Sequence, residues 1–203
     1  MYTGLVKGKA TLVAVEDSVN FRTYTVQFPS ELLGGLETGA SVANNGCCLT
    51  VTYINGNLVS FDLMEETLRL TNLGSLKIGD MINLERSAKY GDEIGGHVMS
   101  GHIITTVEIS KILKAENNLQ ICFYVHDKQL MKYIFHKGFI GVDGISLTVG
   151  NVVNNFFCVH LIPETIARTT IAEKSIGEKV NIEIDAHIQA VVETVERIMA
   201  PKK

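Results

Sequence analysis

No segment of this chain carries a dense run of lysine and arginine, and its net charge is −4. A polyanionic partner requires a clustered basic face, so nucleic-acid binding is not expected. Nor does any stretch approach the ~20 apolar residues that span a bilayer. The opening MYTGLVKGKATLVAVED lacks the apolar run of a signal peptide, so a cytoplasmic protein with no membrane partner is expected. The four cysteines, Cys47, Cys48, Cys122 and Cys158, include an adjacent pair but no Cys-x-x-Cys. Neighbouring cysteines rarely bridge across one peptide bond, and metal ligation wants spaced ligands. Four reduced thiols and no metal site are the expectation. Also absent are GxxxxGK(S/T), GxGxxG after a strand, HExxH and GxSxG, which sets aside the common nucleotide, zinc-protease and hydrolase chemistries. What remains is a chain of 203 residues, 46% hydrophobic and 20% charged, suited to one large domain or two small ones.

Self-similarity decides between these. Ser41–Val51 (SVANNGCCLTV) resembles Phe139–Val149 (FIGVDGISLTV) at a shift of 98 positions. The same shift sets Glu66-Thr67 on Glu164-Thr165, Thr71 on Thr169, Ile78-Gly79 on Ile176-Gly177, and Asn83-x-Glu85 on Asn181-x-Glu183. Near the start, Thr3-Gly4 falls on Ser100-Gly101 at a shift of 97. One offset held across so many short motifs implies two tandem copies of one fold, over 1–97 and 98–186, followed by a tail over 187–203. Within the first copy, Gly4–Val15, Arg22–Phe28, Ser41–Ile54 (broken at Gly46), Leu58–Leu63 and Met81–Arg86 are rich in strand formers and separated by turn signals. Six short strands in so short a copy predict a small closed all-β barrel, which leaves no exposed edge. Thr67–Leu73 suggests a short helix inside it. In the tail, Ile188, Val191, Val192, Val195, Ile198 and Met199 recur at spacings of three and four, one face of an α-helix. Two heptads are too short to stand alone in water. The helix therefore either packs with its copies in a homotrimer or lies on its own barrel.

Strand alternation sorts the repeated motifs by face. Leu49 and Val51 share one side of the first copy, and Cys48 and Thr50 the other. Leu147 and Val149 oppose Ser146 and Thr148 in the second. A polar pair opposite a packing pair in both copies suggests a shared ligand surface. In VNIEID, Val180, Ile182 and Ile184 face inward, leaving Asn181, Glu183 and Asp185 as either a solvated face or part of a site. GGHVMSGHI (Gly95–Ile103) brings glycines that allow backbone close to a ligand. His97 and His102 would face opposite sides of an extended segment, which argues against joint metal binding. Each is read as a structural histidine or a proton carrier.

In order and spacing, the opening TG, NGCCLTV, FDLMEETL, TNLG, GGHVMSGH, KGFIGVDGISLTV, HLIPETI and VNIEID resemble the motifs of the two-barrel riboflavin synthase family over essentially the whole chain. One departure is Tyr2, where the family usually has phenylalanine; its hydroxyl needs a partner if buried. The resemblance implies two pseudo-twofold-related six-stranded barrels and a C-terminal helix that forms a homotrimer. It also implies a cofactor-free dismutation of two 6,7-dimethyl-8-ribityllumazine molecules into riboflavin and a ribitylaminopyrimidine. The competing reading is a non-enzymatic lumazine- or flavin-binding antenna on the same fold. Carried over residue by residue, the first substrate surface comprises Tyr2, Gly4, Leu5, Val6, Cys48, Leu49, Thr50, Asp62, Leu63, Met64, Glu65, Glu66 and Thr67. The second comprises Gly101, His102, Ile103, Lys137, Ser146, Leu147, Thr148, His160, Leu161, Ile162, Pro163, Glu164 and Thr165. For the chemistry it implies Ser146 oriented by Asp185, with His102 and Thr148 moving protons and Cys48 supporting addition to the acceptor.

Overall fold

The computed structural model describes residues 1–115 and 118–200. Residues 201–203 of the tail lie outside the described residues. In the first copy the strands are β1 (Gly8–Ser18), β2 (Phe21–Gln27), β3 (Ser41–Asn44), β4 (Cys47–Asn55), β5 (Leu58–Met64) and β6 (Met81–Arg86). They close in the order β1-β2-β5-β4-β3-β6. The second copy contributes β7 (Thr105–Ala115), β8 (Asn118–Tyr124), β9 (Phe139–Val142), β10 (Ile145–Val153), β11 (Phe156–Leu161) and β12 (Lys179–Ile184). These close in the same cyclic order. The expected pair of six-stranded barrels is therefore present, each with its own core. Leu12, Tyr24, Val26, Leu49, Val51 and Phe61 fill the first, and Ile109, Ile121, Phe123, Leu147, Val149 and Phe157 the second. Full burial of such side chains contributes about 1.5–3 kcal/mol each.

Helix α1 (Glu65–Leu70) and its counterpart α2 (Pro163–Arg168) follow β5 and β11. Neither buries a residue fully. The helix expected inside the barrel thus lies outside the core, and Leu73 in the next turn is the side chain that enters it. Helix α3 (Ala186–Met199) is capped by Asp185, whose carboxylate accepts from His187 N. It meets the expectation that the tail lies on its own barrel. Ile188 and Val192 pack on the second barrel, whereas Val191, Val195, Ile198 and Met199 stay exposed. No described helix is long and apolar enough to cross a membrane.

Two sequence expectations are corrected. Cys122 and Cys158 are register partners on β8 and β11 and form a disulfide, leaving Cys47 and Cys48 as the free thiols. Antiparallel pairing sets side by side two residues that no short spacing motif could link. The polar faces of β6 and β12 are not solvated either. Asn83, Glu85, Asn181 and Glu183 are all buried, because the barrels meet across them.

At that seam the two hairpin turns oppose each other. Asn45-Gly46 and Asp143-Gly144 both have positive φ, the type I′ geometry that tight hairpins favour. Asn181 Nδ2 donates to Asn45 O at 2.8 Å, and Asn83 Nδ2 to Asp143 O at 3.0 Å. In return Asn72 N donates to Asn181 Oδ1 at 2.7 Å and Thr170 N to Asn83 Oδ1 at 2.9 Å. Each asparagine side chain thereby satisfies two backbone groups of the facing barrel. The symmetry breaks where Asn72 is matched by Thr170, and again where the first copy has Asn45 and the second has Asp143, fully buried and 3.8 Å from Lys174 Nζ.

Burial pushes the Asp143 carboxyl up to about 6, from 3.8, against the pull of Lys174 and of hydrogen bonds from Asn181 N and Asn72 Nδ2. Between these values the folded protein keeps a proton that the unfolded chain has lost, so this group's contribution to stability falls as pH rises through that window. Asp143→Asn keeps an acceptor oxygen and removes the charge. It is expected to flatten this part of the pH dependence and to raise stability at pH 7 by about 1–3 kcal/mol. Urea unfolding of both proteins from pH 4 to 7 checks this, and parallel curves would contradict it.

Candidate active site

The repeated polar pairs face outward from their barrels. In β4, Leu49 and Val51 are buried while Thr50 is exposed and Cys48 half-buried; in β10, Leu147, Val149, Thr148 and Ser146 repeat that pattern. Each pair is met by a chain segment from outside its own barrel's strands. Ser146 N donates to Gly4 O at 2.8 Å, and Cys48 N donates to Gly101 O at 2.9 Å. Both glycines sit at positive φ, +73° for Gly4 and +83° for Gly101. A Cβ on Gly4 would lie 2.4 Å from Ser146 Cβ, and one on Gly101 2.6 Å from Cys48 Cβ. Only glycine permits that approach.

These contacts exchange two segments that the sequence had placed the other way. Gly4, Leu5 and Val6 line the second barrel's surface, with Val6 in its core. Gly101, His102 and Ile103 meet the first barrel, where Ile103 packs on the core. Repeat equivalence shows that two segments correspond, but not which barrel each touches. The exchange is anchored where Tyr2 and Met99 pair by reciprocal backbone hydrogen bonds of 2.8 and 2.9 Å.

On the second barrel a cleft of about 280 Å³ gathers Gly4, Leu5, Val6, Ser146, Ile162, Glu164 and Thr165. Lys7, Ile145, Arg168 and Thr169 complete its lining and were not foreseen. Glu164 is ion-paired with Arg168, one turn on along α2. Leu147 and Leu161 stand behind the surface in the core, and Pro163 begins α2. Thr148, Lys137 and His160 are exposed outside the cleft lining, and the His160 ring lies 3.3 Å from both Asn118 Nδ2 and Gln120 Nε2.

The hydrogen-bond partner of Ser146 is His97, with Nδ1 2.7 Å from Oγ. His97 is buried and stacks on Phe139 with ring centroids 5.1 Å apart. Burial lowers its pKa, opposed by the negative charge of Asp185, and its Nε2 has no hydrogen-bond partner among the described residues. Asp185, expected beside Ser146, instead caps α3, and its charge reaches His97. His97 was legible only as a lone histidine. The signal beside it was Gly95-Gly96: a Cβ on Gly96 would lie 2.2 Å from Thr3 O and 2.7 Å from Ser146 Cβ.

The first barrel is equipped differently. Tyr2, 2% exposed, donates its hydroxyl to Cys48 Sγ at 3.0 Å, which supplies the partner that its buried oxygen requires. Burial chiefly, and this sulfur next, raise the Tyr2 pKa and keep it a neutral donor. Burial also pushes the neighbouring Cys47 thiol up to about 12, so Cys48 is the more accessible of the two. Around it, Asp62 accepts from Thr23 Oγ1 at 2.7 Å, and Glu66 pairs with Arg69 at 2.6 Å. Met64 and Glu65 are exposed beside them, Thr67 is half-buried, and Leu63 belongs to the core. His102 is exposed and follows Gly101, whose carbonyl meets this barrel. Among the described residues no group of three His, Cys, Asp or Glu side chains is placed to hold a metal ion.

Residues 3–87 and 100–185 each match the lumazine binding domain family. The riboflavin synthase of Escherichia coli (strain K12) is 66% identical over 203 residues, spanning all of this chain and 95% of that protein. This chain belongs to the riboflavin synthase family. The enzyme of Buchnera aphidicola subsp. Schizaphis graminum is 56% identical over 199 residues (98% of this chain, 96% of that one). That of Chlamydia pneumoniae is 42% identical over 200 residues (98% of each chain). Among solved structures, LumP complexed with 6,7-dimethyl-8-(1'-D-ribityl)lumazine superposes with a TM-score of 0.83 at 24% identity, covering 91% of this chain and 99% of that one. LumP complexed with riboflavin gives 0.85 at 24% identity, covering 91% and 100%. That likeness concerns the fold.

Tyr2→Phe removes one hydroxyl and keeps the ring. The expected stability change is within about 1.5 kcal/mol, the worth of one hydrogen bond, while Cys48 becomes several-fold faster to alkylate with iodoacetamide. Peptide mapping of the labelled thiol reads this out. An unchanged Cys48 rate would mean that the Tyr2 contact does not restrain the sulfur.

Proposed function

We propose that the protein converts two molecules of 6,7-dimethyl-8-ribityllumazine into riboflavin and 5-amino-6-(ribitylamino)pyrimidinedione by four-carbon transfer. The observation that carries this is 66% identity to a riboflavin synthase over the full chain, with both lumazine-binding copies matched. Donor and acceptor are the same compound, and a duplicated barrel with one outward polar surface per copy suits such a pair. The substrate's own ring system delocalises the carbanion formed at its 7-methyl group.

In this reading the second-barrel cleft binds one lumazine, with Ser146 Oγ placed to pass a proton between the ligand and His97. A neutral imidazole suits the task, since Nδ1 can accept the Ser146 proton. Cys48, with its Tyr2 donor, meets the other lumazine on the first barrel, and His102 stands beside it on the exchanged segment. Glu66 with Thr67, and Glu164 with Thr165, would fix ring and ribityl groups. Thr148, Lys137 and His160 lie on the open side of the second surface, where a facing barrel would enclose them. The exposed stripe Val191, Val195, Ile198 and Met199 on α3 supports a homotrimer in which the first barrel of one subunit faces the second barrel of its neighbour. For a cytoplasmic setting, the free Cys47 and Cys48 count in favour and the Cys122–Cys158 disulfide counts against. The antenna reading is the weaker one. It rests on a fold shared at 24% identity, whereas the 66% relative is a synthase.

Purified protein mixed with the lumazine should develop riboflavin absorbance without added cofactor; ligand binding without product would favour the antenna. Truncation after Asp185 should yield a folded monomer of low activity, and a trimer persisting in sedimentation would refute the role of α3. Chains disabled at Cys48 and at Ser146, co-expressed in equal amounts, should regain activity. Random closed rings leave about a quarter of junctions with both undamaged surfaces. Mixed trimers no better than the mean of their parents would place the site within one chain.

A further inference from the structure

The two turns that close on Ser146 and Cys48 are each held by a buried carboxylate of the opposite barrel. Glu85, on β6 of the first barrel, is 4% exposed. It accepts from Thr3 N at 2.7 Å, Thr3 Oγ1 at 2.8 Å and Gly4 N at 3.0 Å. The turn it grips carries Gly4 O to Ser146 N, in the second barrel. Glu183, on β12 of the second barrel, is 3% exposed. It accepts from Ser100 N at 2.5 Å, Ser100 Oγ at 2.8 Å and Gly101 N at 3.1 Å. That turn carries Gly101 O to Cys48 N, in the first.

We propose that Glu85 and Glu183 are crossed positioning residues: each sets the geometry of the substrate surface on the other barrel. A carboxylate is the side chain suited to the task, because it offers acceptors only and can take backbone and hydroxyl donors on both oxygens. Burial raises both carboxyls, and the donors of the gripped turns oppose that rise, so the charge and the turn sustain each other. The turns have little slack. Gly4 and Gly101 are held at positive φ within van der Waals reach of Ser146 and Cys48, so a tilt of either peptide moves the surface it touches. By charge alone both carboxylates reach the first-barrel surface, Glu85 raising Tyr2 and Glu183 raising Cys47, so the crossing rests on the hydrogen bonds. The consequence is reciprocal: neither surface is shaped by its own barrel alone. The inference rests on the proposed function only for the identity of the ligand.

Glu183→Gln and Glu85→Gln are the tests. The amide keeps one acceptor but turns an NH2 toward a glycine N–H, and an unsatisfied buried donor is worth about tenfold in an equilibrium. Two local probes read the surfaces without catalysis: the iodoacetamide rate of Cys48 for the first, and the imidazole ¹⁵N shifts of His97 for the second. Glu183→Gln should change the Cys48 rate about fivefold or more and move His97 least; Glu85→Gln should move His97 most, with a smaller change at Cys48 passed through Tyr2. In the lumazine assay each variant should lose about tenfold in kcat/KM, and Glu→Asp should recover part of it. A variant that moves its own barrel's probe as much as the other barrel's, or more, overturns the proposal in favour of a general structural role. Should the Gln variants fail to fold, Ser100→Ala removes one donor to Glu183 and must move Cys48 alone, by about two- to threefold. Failure of wild-type protein to turn over lumazine would defeat the proposed function, while the two probes still decide the crossing.

Discussion

Two closed barrels share no strand edge, so something other than a sheet ladder must fix them against each other. Here it is a buried set of amides and carboxylates, and the rest of the molecule depends on it. Asn83 and Asn181 each leave their own strand to bond the facing hairpin turn. Buried amides are costly unless every donor and acceptor is met, and apolar packing would permit the barrels to slide or rotate. A satisfied polar seam permits one arrangement. The chain segments before β1 and before β7 cross at that seam, and the two surfaces take their shape from where they cross.

The seam is symmetric in plan and not in residue. Asn45 corresponds to Asp143, Asn72 to Thr170, and Cys48 to Ser146. The same backbone thereby presents a thiol under a tyrosine hydroxyl in one copy and a serine hydroxyl against a buried histidine in the other. A reaction between two identical molecules needs one treated as donor and the other as acceptor. Duplication supplies the matched pair of surfaces, and later divergence of a few side chains on that shared frame supplies the difference.

Much of this was legible from residues. The uniform shift of 98 positions revealed the copies, and alternation placed Cys48, Thr50, Ser146 and Thr148 outside their barrels. Alternation identifies a polar face without saying what covers it, which is why Asn181 and Glu183 read as solvated when the other barrel buries them. The repeat likewise equated Gly4 with Gly101 without revealing the exchange, because equivalence is a relation between copies and contact is not. His97 escaped for a related reason: its partner Ser146 lies 49 positions on, and the seam alone brings them together. Cys122 and Cys158, 36 apart, meet only once β8 and β11 are paired.

The relative weight of chemistry and placement follows from the magnitudes. A well-placed acid or base contributes about 10²–10⁴-fold, the most that the proton transfer proposed for the His97–Ser146 pair could supply. Holding two reactants in near-attack geometry can contribute up to about 7–11 kcal/mol, provided the geometry is held to a fraction of an ångström. The fold concentrates its unusual features on that second requirement. It places two glycines at positive φ against Cys48 and Ser146, two buried carboxylates on their turns, and a polar seam with a single solution. Some polar side chains at the surfaces are common to both copies, Thr50 with Thr148 and Glu66-Thr67 with Glu164-Thr165, whereas Cys48 and Ser146, with their Tyr2 and His97 partners, differ. The frame that fixes the two surfaces is the same in both, so the difference between them rests on those two pairs.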